Sequence, residues 1–283
     1  MQGMVKFLSG ILLVFAYAGE ILGQQAFTLQ RQDQMMVPVL AYPPQAGSCR
    51  GVALVSPGAG GSENGYAYLG AGMSGLGYLT AVMGHQESGK QALRKQILAN
   101  GLRDGLAELI TEPEAYKGRW MDISATRNWA QSQCSGKESI LLGHSMGAAT
   151  VMMEAGAQNN LGLQGGKSFD VYIALSPQGV GAIFPPNAWS TIQRPVLTIT
   201  GTKDTALGGA SWQTRTEPFA NMQPGCKWLG VIDNASHMNF AGRGFARKTE
   251  MLTVDLIQAF MDGTHHGDCK APEQKNGLHV QTK

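Results

Sequence analysis

The sequence Gly-His-Ser-Met-Gly at residues 143–147 constrains the fold of this chain more than any other stretch. Residues 140–142 before it are apolar and typical of a buried strand, and residues 148–155 after it are typical of a helix. The two glycines leave room for neighbouring backbone, and the serine between them must adopt a strained conformation. We therefore expect a sharp strand-to-helix turn that presents the hydroxyl of Ser145.

Apolar runs bounded by turn residues alternate with helical segments along most of the chain. Continuous hydrophobicity is typical of strands buried on both faces, so the pattern predicts an α/β fold with a mostly parallel sheet covered by helices. The predicted strands are 36–41, 52–56, 79–83, 139–142, 171–175, 196–200 and 228–232. The predicted helices are one that follows Ser62 and four at 90–110, 122–132, 209–222 and 247–261. The short segment 176–195 has no room for a large lid, which predicts an open site.

The first 23 residues have the layout of a secretory signal peptide. Lys6 precedes an apolar run at residues 7–18, and small residues follow up to Gly23. This run is shorter than the ~20 residues of a membrane span, although an uncleaved anchor is the alternative. Cleavage predicts a secreted or periplasmic protein with one domain at residues 24–270 and a flexible polar tail at residues 271–283.

The four cysteines are Cys49, Cys134, Cys226 and Cys269. An even number in an exported chain favours disulfides, and three sets of pairs are open. Cys49 and Cys134 precede predicted neighbouring parallel strands, whereas Cys226 precedes the last strand and Cys269 follows the last helix. This placement favours the pairs Cys49–Cys134 and Cys226–Cys269, with four buried free thiols as the alternative. No C-x-x-C spacing is present, so a zinc site is not favoured.

The charge of the chain argues against nucleic acid as a partner. Charged residues make up 15% of the chain, the net charge is +2, and the sequence has no basic stripe. Nucleic acid is therefore not expected as a partner.

A serine hydroxyl needs a base within hydrogen-bond reach, and histidine suits that role. Three of the six histidines lie in the polar C-terminal segment: His265, His266 and His279. His144 precedes Ser145 directly, so its side chain points away, and His85 ends a strand on the far side of the turn. His237 follows the last predicted strand on a loop that can reach the carboxyl ends of the strands. We assign the base to His237, the alternative being a surface histidine.

The base needs a carboxylate that orients it and offsets its charge. Asp204 leaves the carboxyl end of the predicted strand 196–200, whereas Asp170 precedes its strand and lies at the wrong end of the sheet. Asp233 shares the loop of His237 and is the second candidate. The favoured constellation is therefore Ser145, Asp204 and His237, in that order along the chain.

An oxyanion that develops on a substrate needs preorganised N–H donors. The N–H of Met146, at the start of the helix, is one candidate. The second comes from the loop Pro-Gly-Ala-Gly-Gly at residues 57–61, where we favour Ala59 and keep Gly58 as the alternative. A nucleotide-binding interpretation of this loop is weak, because it lacks the Lys-Ser/Thr pair and the third glycine that such loops need.

Together these motifs resemble secreted α/β-hydrolases of the group that holds dienelactone-hydrolase-like proteins, platelet-activating-factor acetylhydrolases, chlorophyllases and bacterial cutinases or polyester hydrolases. The matching stretches are residues 55–58, 143–149, 176–177, 200–204 and 235–238. The resemblance implies the α/β-hydrolase fold without a large lid. It also implies Ser145 as nucleophile, His237 as base and Asp204 as acid, with oxyanion donors at Met146 and Ala59.

The chain also departs from that group. Polyester hydrolases have an aromatic residue at the position of Ala59 and a tryptophan shortly after the Ser-Pro pair at 176–177, where this chain has Gln-Gly-Val. True dienelactone hydrolases have a cysteine in place of Ser145. The expected activity is that of a serine carboxylesterase on small to medium acyl esters, with no metal or organic cofactor. An acyltransferase, a hydrolase of polymeric esters and a non-catalytic binding protein are the alternatives.

Overall fold

The computed structural model describes residues 23–45, 47–206, 208–273 and 275–283. The predicted signal peptide at residues 1–23 lies outside the described residues, apart from Gly23. Within these ranges, no helix has both the length and the apolar character needed to cross a bilayer.

A nine-stranded sheet forms the centre of the described part of the chain. Its strands in chain order are β1 (Gln25–Gln30), β2 (Met36–Tyr42), β3 (Gly51–Ser56), β4 (Tyr78–Met83), β5 (Glu138–His144), β6 (Val171–Leu175), β7 (Val196–Lys203), β8 (Lys227–Ser236) and β9 (Leu278–Thr282). The spatial order is β1-β2-β4-β3-β5-β6-β7-β8-β9. The strands from β4 to β8 in that order are parallel, and β1, β2 and β9 pair antiparallel at the two edges. The predicted mostly parallel sheet is confirmed.

Helices pack on both faces of this sheet. They are α1 (Ala67–Gly75), α2 (Lys90–Asn100), α3 (Leu102–Thr111), α4 (Pro113–Gln133), α5 (Met146–Glu154), α6 (Glu217–Asn221) and α7 (Arg247–His266). Side chains of α4 and α5 bury one face, and those of α1 and α7 bury the other. Every residue of β3 and β4 is buried, which explains why these strands are apolar throughout rather than alternating.

Three predicted helices have the wrong extent. The predicted helix 122–132 is the second half of α4, which begins at Pro113. The predicted helix 90–110 is two helices, α2 and α3, because Gly101 between them has a φ of 81°. Glycine adopts this left-handed backbone at little cost, and a helix cannot continue through it. The predicted helix 209–222 is only the 3₁₀ turn Trp212–Thr216 followed by α6, and no helix begins at Gly209, whose φ of 85° is positive.

The prediction of a flexible polar tail at residues 271–283 is wrong for its last residues. Strand β9 pairs with β8, with Leu278 opposite Ile232, and Leu278 is buried. Leu278 and Val280 alternate with polar residues, which is the period of a half-buried edge strand. Strand β1 at the opposite edge was not predicted either, and both edge strands are short and half polar.

Two disulfides link segments that are distant in sequence. Cys49 is bonded to Cys134, and Cys226 is bonded to Cys269. The first joins the segments that lead into the neighbouring strands β3 and β5, and the second joins the start of β8 to the segment after α7. These are the two pairs that the sequence favours.

Candidate active site

Ser145 lies at the turn between β5 and α5, in the strained conformation that the sequence predicts. Its φ is 55° and its ψ is −118°, outside the regions that side-chain-bearing residues normally adopt. The flanking glycines permit this turn. A Cβ at Gly147 would collide with the carbonyl oxygen of Ser56, and a Cβ at Gly143 would collide with the backbone of Gly147.

His237 and Asp204 meet at the carboxyl ends of β8 and β7. The Nδ1 atom of His237 lies 2.9 Å from Oδ1 of Asp204. His237 and Ser145 line the same cavity, although no hydrogen bond joins their side chains in this structure. Such a contact often tightens only when substrate binds. Asp233, the second candidate acid, instead contacts His279, so Asp204 is the carboxylate beside His237.

Three donors and the guanidinium of Arg215 surround the carboxylate of Asp204, which is fully buried, and the Nε–H of Arg215 donates to the backbone carbonyl of Asp204 at 2.9 Å. The hydroxyls of Ser176 and Thr200 donate to its Oδ2 atom at 2.6 and 2.9 Å. His237 Nδ1 and the Nε atom of Arg215 lie 2.9 and 2.8 Å from Oδ1. A buried charge is tolerated only where such partners replace water, so this cage holds Asp204 in position.

Arg215 is a residue of this site that the sequence analysis missed. It is buried, and burial lowers the pKa of its guanidinium. Its Nη1 atom donates to the carbonyls of Ser176 and Pro177, and Nη2 donates to the carbonyl of Thr205. The arginine therefore ties the loops after β6 and β7 together beneath Asp204. Nothing in the local pattern around it marks this role.

A second hydrogen-bonded chain links the glycine loop to the histidine loop. The N–H of Gly58 donates to the Tyr66 hydroxyl at 3.0 Å, and that hydroxyl lies 2.9 Å from Nδ1 of His144. The Nε2 atom of His144 lies 3.1 Å from the carbonyl oxygen of His237. Burial, together with the nearby ring of His237, lowers the pKa of His144 well below its usual value, so the ring is neutral. The tyrosine then donates to Nδ1 and His144 donates to His237.

The geometry around Gly58 separates the two candidate oxyanion donors in the glycine loop. The N–H of Gly58 already bonds to Tyr66, whereas the N–H of Ala59 has no partner in the described ranges of the chain. A Cβ at Gly58 would lie only 3.2 Å from Cβ of Ser145, so this loop passes directly beside Ser145. Met146 is the first residue of α5, and its N–H has no partner within the helix.

His85, which the sequence analysis set aside as a base, belongs to a second Ser-His-Asp arrangement. Its Nε2 atom lies 2.8 Å from the hydroxyl of Ser56, and its Nδ1 atom lies 2.8 Å from Oδ2 of Asp122. Arg119 donates to the same serine hydroxyl and to the carbonyl of Pro57. All of these side chains are buried, and they hold the base of the glycine loop against α4.

The cavity beside Ser145 has a volume of about 550 Å³. Its walls come from α3, from the loop after β6 at residues 178–183, and from the loop after β7 around Thr205 and Ala206. His237 and Met238 form its edge. The segment between β6 and β7, which the sequence predicts to be too short for a large lid, contains no helix. Helix α3 covers one side of the cavity. In the described part of the chain, no group of three or more His, Cys, Asp or Glu side chains is arranged to hold a metal ion.

No protein-family model and no curated protein matches this sequence. Among solved structures, a cold-adapted esterase from an Arctic intertidal metagenomic library is similar with a TM-score of 0.59 at 17% identity, over 85% of this chain and 96% of that one. An α/β serine hydrolase homologue from Coxiella burnetii is similar with a TM-score of 0.55 at 18% identity, over 84% and 99% of the two chains. A lidless α/β serine hydrolase from Xanthomonas campestris has a TM-score of 0.53 at 17% identity, over 90% and 100%. The predicted α/β-hydrolase fold without a large lid is thereby confirmed.

Proposed function

We propose that this chain is a serine hydrolase that cleaves carboxylic esters through an acyl-enzyme. One observation carries the proposal. A serine in a strained strand-to-helix turn shares a cavity with a histidine that is hydrogen-bonded to a buried carboxylate. The roles are Ser145 as nucleophile, His237 as general base and Asp204 as the acid that orients the base.

In the first half of the reaction, the Ser145 hydroxyl attacks the ester carbonyl while Nε2 of His237 takes its proton. Asp204 accepts the Nδ1–H of His237, which keeps Nε2 free to act as a base and stabilises the imidazolium. The oxyanion forms next to the N–H groups of Met146 and Ala59, and one such donor is often worth about 3 kcal/mol. His237 then protonates the departing alcohol, which leaves Ser145 acylated.

In the second half, a water molecule gives its proton to Nε2 of His237 and attacks the acyl carbon. The same N–H donors hold the second oxyanion. His237 returns the proton to the oxygen of Ser145, and the carboxylic acid leaves. Every group that these steps need belongs to the chain, apart from ester and water.

We also propose that the protein is exported, with residues 1–23 as signal peptide and a single domain that follows. Two disulfides support this location, since such bonds persist in secreted and periplasmic proteins. Within the fold, we retain the resemblance to dienelactone-hydrolase-like proteins, platelet-activating-factor acetylhydrolases and cutinases as part of the proposal.

A fluorophosphonate probe tests the proposal, because it reacts only with an activated serine. We expect covalent labelling of the wild-type chain and a modified peptide that contains Ser145. The Ser145→Ala variant should remain unlabelled, and p-nitrophenyl acetate hydrolysis should disappear with the labelling. If the wild-type chain neither reacts with the probe nor hydrolyses the ester, the proposal that it is an enzyme is wrong. Product analysis with added alcohols separates hydrolysis from acyl transfer, and a dominant transfer product would replace esterase by acyltransferase.

A further inference from the structure

The walls of the cavity beside Ser145 are mainly apolar. Leu106, Ala107 and Ile110 of α3 form one side, and Val180 and Ile183 of the loop after β6 form another. A volume of about 550 Å³ falls in the range of cavities that hold a small organic ligand. The space is therefore far larger than an acetyl group needs.

Among the described residues that line this cavity, only Arg215 and His237 have ionisable side chains. Each guanidinium nitrogen of Arg215 already has a partner. Nε faces Asp204, and Nη1 and Nη2 donate to backbone carbonyls. His237 is committed to Asp204 at Nδ1. A carboxylate bound against these walls would therefore lose its water without gaining a free cation from the residues that line the cavity.

We propose that the cavity binds an uncharged apolar chain of the ester and discriminates against a chain that ends in a carboxylate. This inference rests on the proposed function and specifies its substrate class. Each methylene that leaves water for these walls favours the reaction, whereas a carboxylate would be desolvated against leucine, isoleucine and alanine side chains. This apolar substituent belongs to either the acyl or the alcohol part of the ester, and the experiment distinguishes the two.

Three p-nitrophenyl esters test the acyl side: acetate, octanoate and the monoester of suberic acid, which has eight carbons and a terminal carboxylate. We expect kcat/KM for octanoate to exceed that for acetate at least about 30-fold, since a single well-placed methylene is worth 10-fold or more. The kcat/KM for the suberate ester should not exceed that for acetate. Ethyl, octyl and 7-carboxyheptyl acetates test the alcohol side in the same way. The inference fails if neither series favours the neutral long chain, or if the carboxylate-bearing ester is hydrolysed as fast as its neutral counterpart.

Variants on α2 and α3 locate the effect in this cavity. Ala107→Phe fills the space beside α3 and should lower kcat/KM for octanoate much more than kcat/KM for acetate, which removes most of the long-chain preference. Ala99→Phe is the matched control, because Ala99 is exposed on the neighbouring helix α2 and does not line the cavity. A long-chain preference that Ala107→Phe leaves intact would overturn the assignment of this cavity.

A charge-introducing pair tests the electrostatic part. Leu106→Lys introduces a free ammonium group at the cavity wall. It should raise the ratio of kcat/KM for the suberate ester to kcat/KM for octanoate about 10-fold or more, because the substrate carboxylate then exchanges water for an ion pair with the lysine. Leu106→Met, which is neutral, should not shift it. An unchanged ratio in Leu106→Lys would contradict the charge argument.

The two levels of the proposal fail in different ways. If no ester is hydrolysed, or if hydrolysis survives in Ser145→Ala, the proposed function is wrong. If acetate hydrolysis depends on Ser145 but neither neutral long-chain ester is favoured, only the inference about the cavity is wrong. The substrate comparison uses the wild-type chain, so it decides the inference even if a variant does not fold.

Discussion

Two Ser-His-Asp arrangements stand in this molecule, and their surroundings differ. Ser145, His237 and Asp204 meet at a cavity, where the side chain of His237 is 29% exposed. Ser56, His85 and Asp122 lie inside the molecule, where their exposed fractions are 0%, 3% and 1%. We name the first the cavity triad and the second the buried triad. The hydrogen bonds within each set do not by themselves distinguish an active site from a structural network.

Three features separate the two triads. The serine of the cavity triad is in a strained turn beside free N–H groups, whereas Ser56 is the last residue of a regular strand. Only the cavity triad has space for a substrate. The hydroxyl of Ser56 also accepts a hydrogen bond from Arg119 at 3.1 Å, which occupies the nucleophilic oxygen. Under the proposed function, access to the cavity and the neighbouring N–H donors therefore make Ser145 rather than Ser56 the reactive serine.

Burial also sets the charge of the buried triad. It lowers the pKa of His85 well below its usual value, with the positive charge of Arg119 as the next cause. Burial raises the pKa of Asp122 to about 7, although Arg31 pairs with it. The neutral histidine and the buried carboxyl therefore serve to hold Ser56 and the glycine loop rather than to transfer protons to a substrate.

Alanine at the two serines has the largest expected effect. Ser145→Ala should lower kcat for p-nitrophenyl acetate by about 10⁴-fold or more, because it removes the atom that forms the acyl-enzyme. Ser56→Ala should keep activity within about tenfold and lower the free energy of unfolding by about 1–3 kcal/mol, because Arg119 loses a buried acceptor. Steady-state kinetics and urea unfolding measure both. Equal losses of activity in the two variants would abolish the distinction between the triads.

Asparagine at the two aspartates comes next. Asp204→Asn should lower kcat by about 10⁴-fold at unchanged fold, because the amide no longer holds His237 in the reactive tautomer. Asp122→Asn should leave kcat within about tenfold and lower the free energy of unfolding by about 1–3 kcal/mol, since the amide keeps one acceptor oxygen for the two contacts that Arg31 and His85 make with the carboxylate. Kinetics and circular dichroism on both variants check this. A catalytic defect of comparable size in Asp122→Asn would show that the buried triad takes part in catalysis.

The smallest expected effect is on the pH dependence of stability. His85 has a lowered pKa in the folded state, so its contribution is present above the unfolded pKa of about 6.5 and is lost as pH falls. Asp122 has a raised pKa of about 7, so its contribution is present at low pH and is lost as pH rises towards 7. Between pH 6.5 and 5 the two contributions oppose each other.

Asp122→Asn removes the contribution of Asp122 and leaves that of His85. The loss of stability on acidification should therefore become steeper, by up to about 1.4 kcal/mol per pH unit. The slopes of the free energy of unfolding between pH 6.5 and 5 are compared, because the substitution also changes stability at every pH. Other groups near His85 are Arg119, Glu87 and Arg31, and they are the same in both proteins. Parallel curves for wild type and variant would contradict the opposing titrations.

Local sequence patterns predicted the centre of this fold well and its edges poorly. The apolar run at 171–175 coincides with β6, because a strand buried on both faces is apolar along its whole length. The edge strands β1 and β9 were missed, since each is exposed on alternate residues and resembles a polar loop. The break at Gly101 was also missed, because a glycine inside an amphipathic stretch does not by itself indicate its φ angle.

The residues around the candidate site divide in the same way. The positions of Asp204 and His237 after their strands could be predicted, because both follow apolar runs whose ends are visible in the sequence. Arg215 and Tyr66 could not be predicted, because each contacts residues that are distant in the chain. The choice between Gly58 and Ala59 as candidate oxyanion donor depends on which of the two N–H groups donates a hydrogen bond to the Tyr66 hydroxyl.

The sequence by itself determined the order of strands β2 to β8 along the chain and the glycine-flanked turn at Ser145, since these depend on the size and polarity of neighbouring residues. Only the tertiary structure decided that Arg215 lies beneath Asp204, that α3 forms a wall of the cavity, and that a second Ser-His-Asp set is sealed in the interior. These features are contacts between side chains from separate elements. Their geometry is set by how the helices pack against the sheet, which no local pattern records.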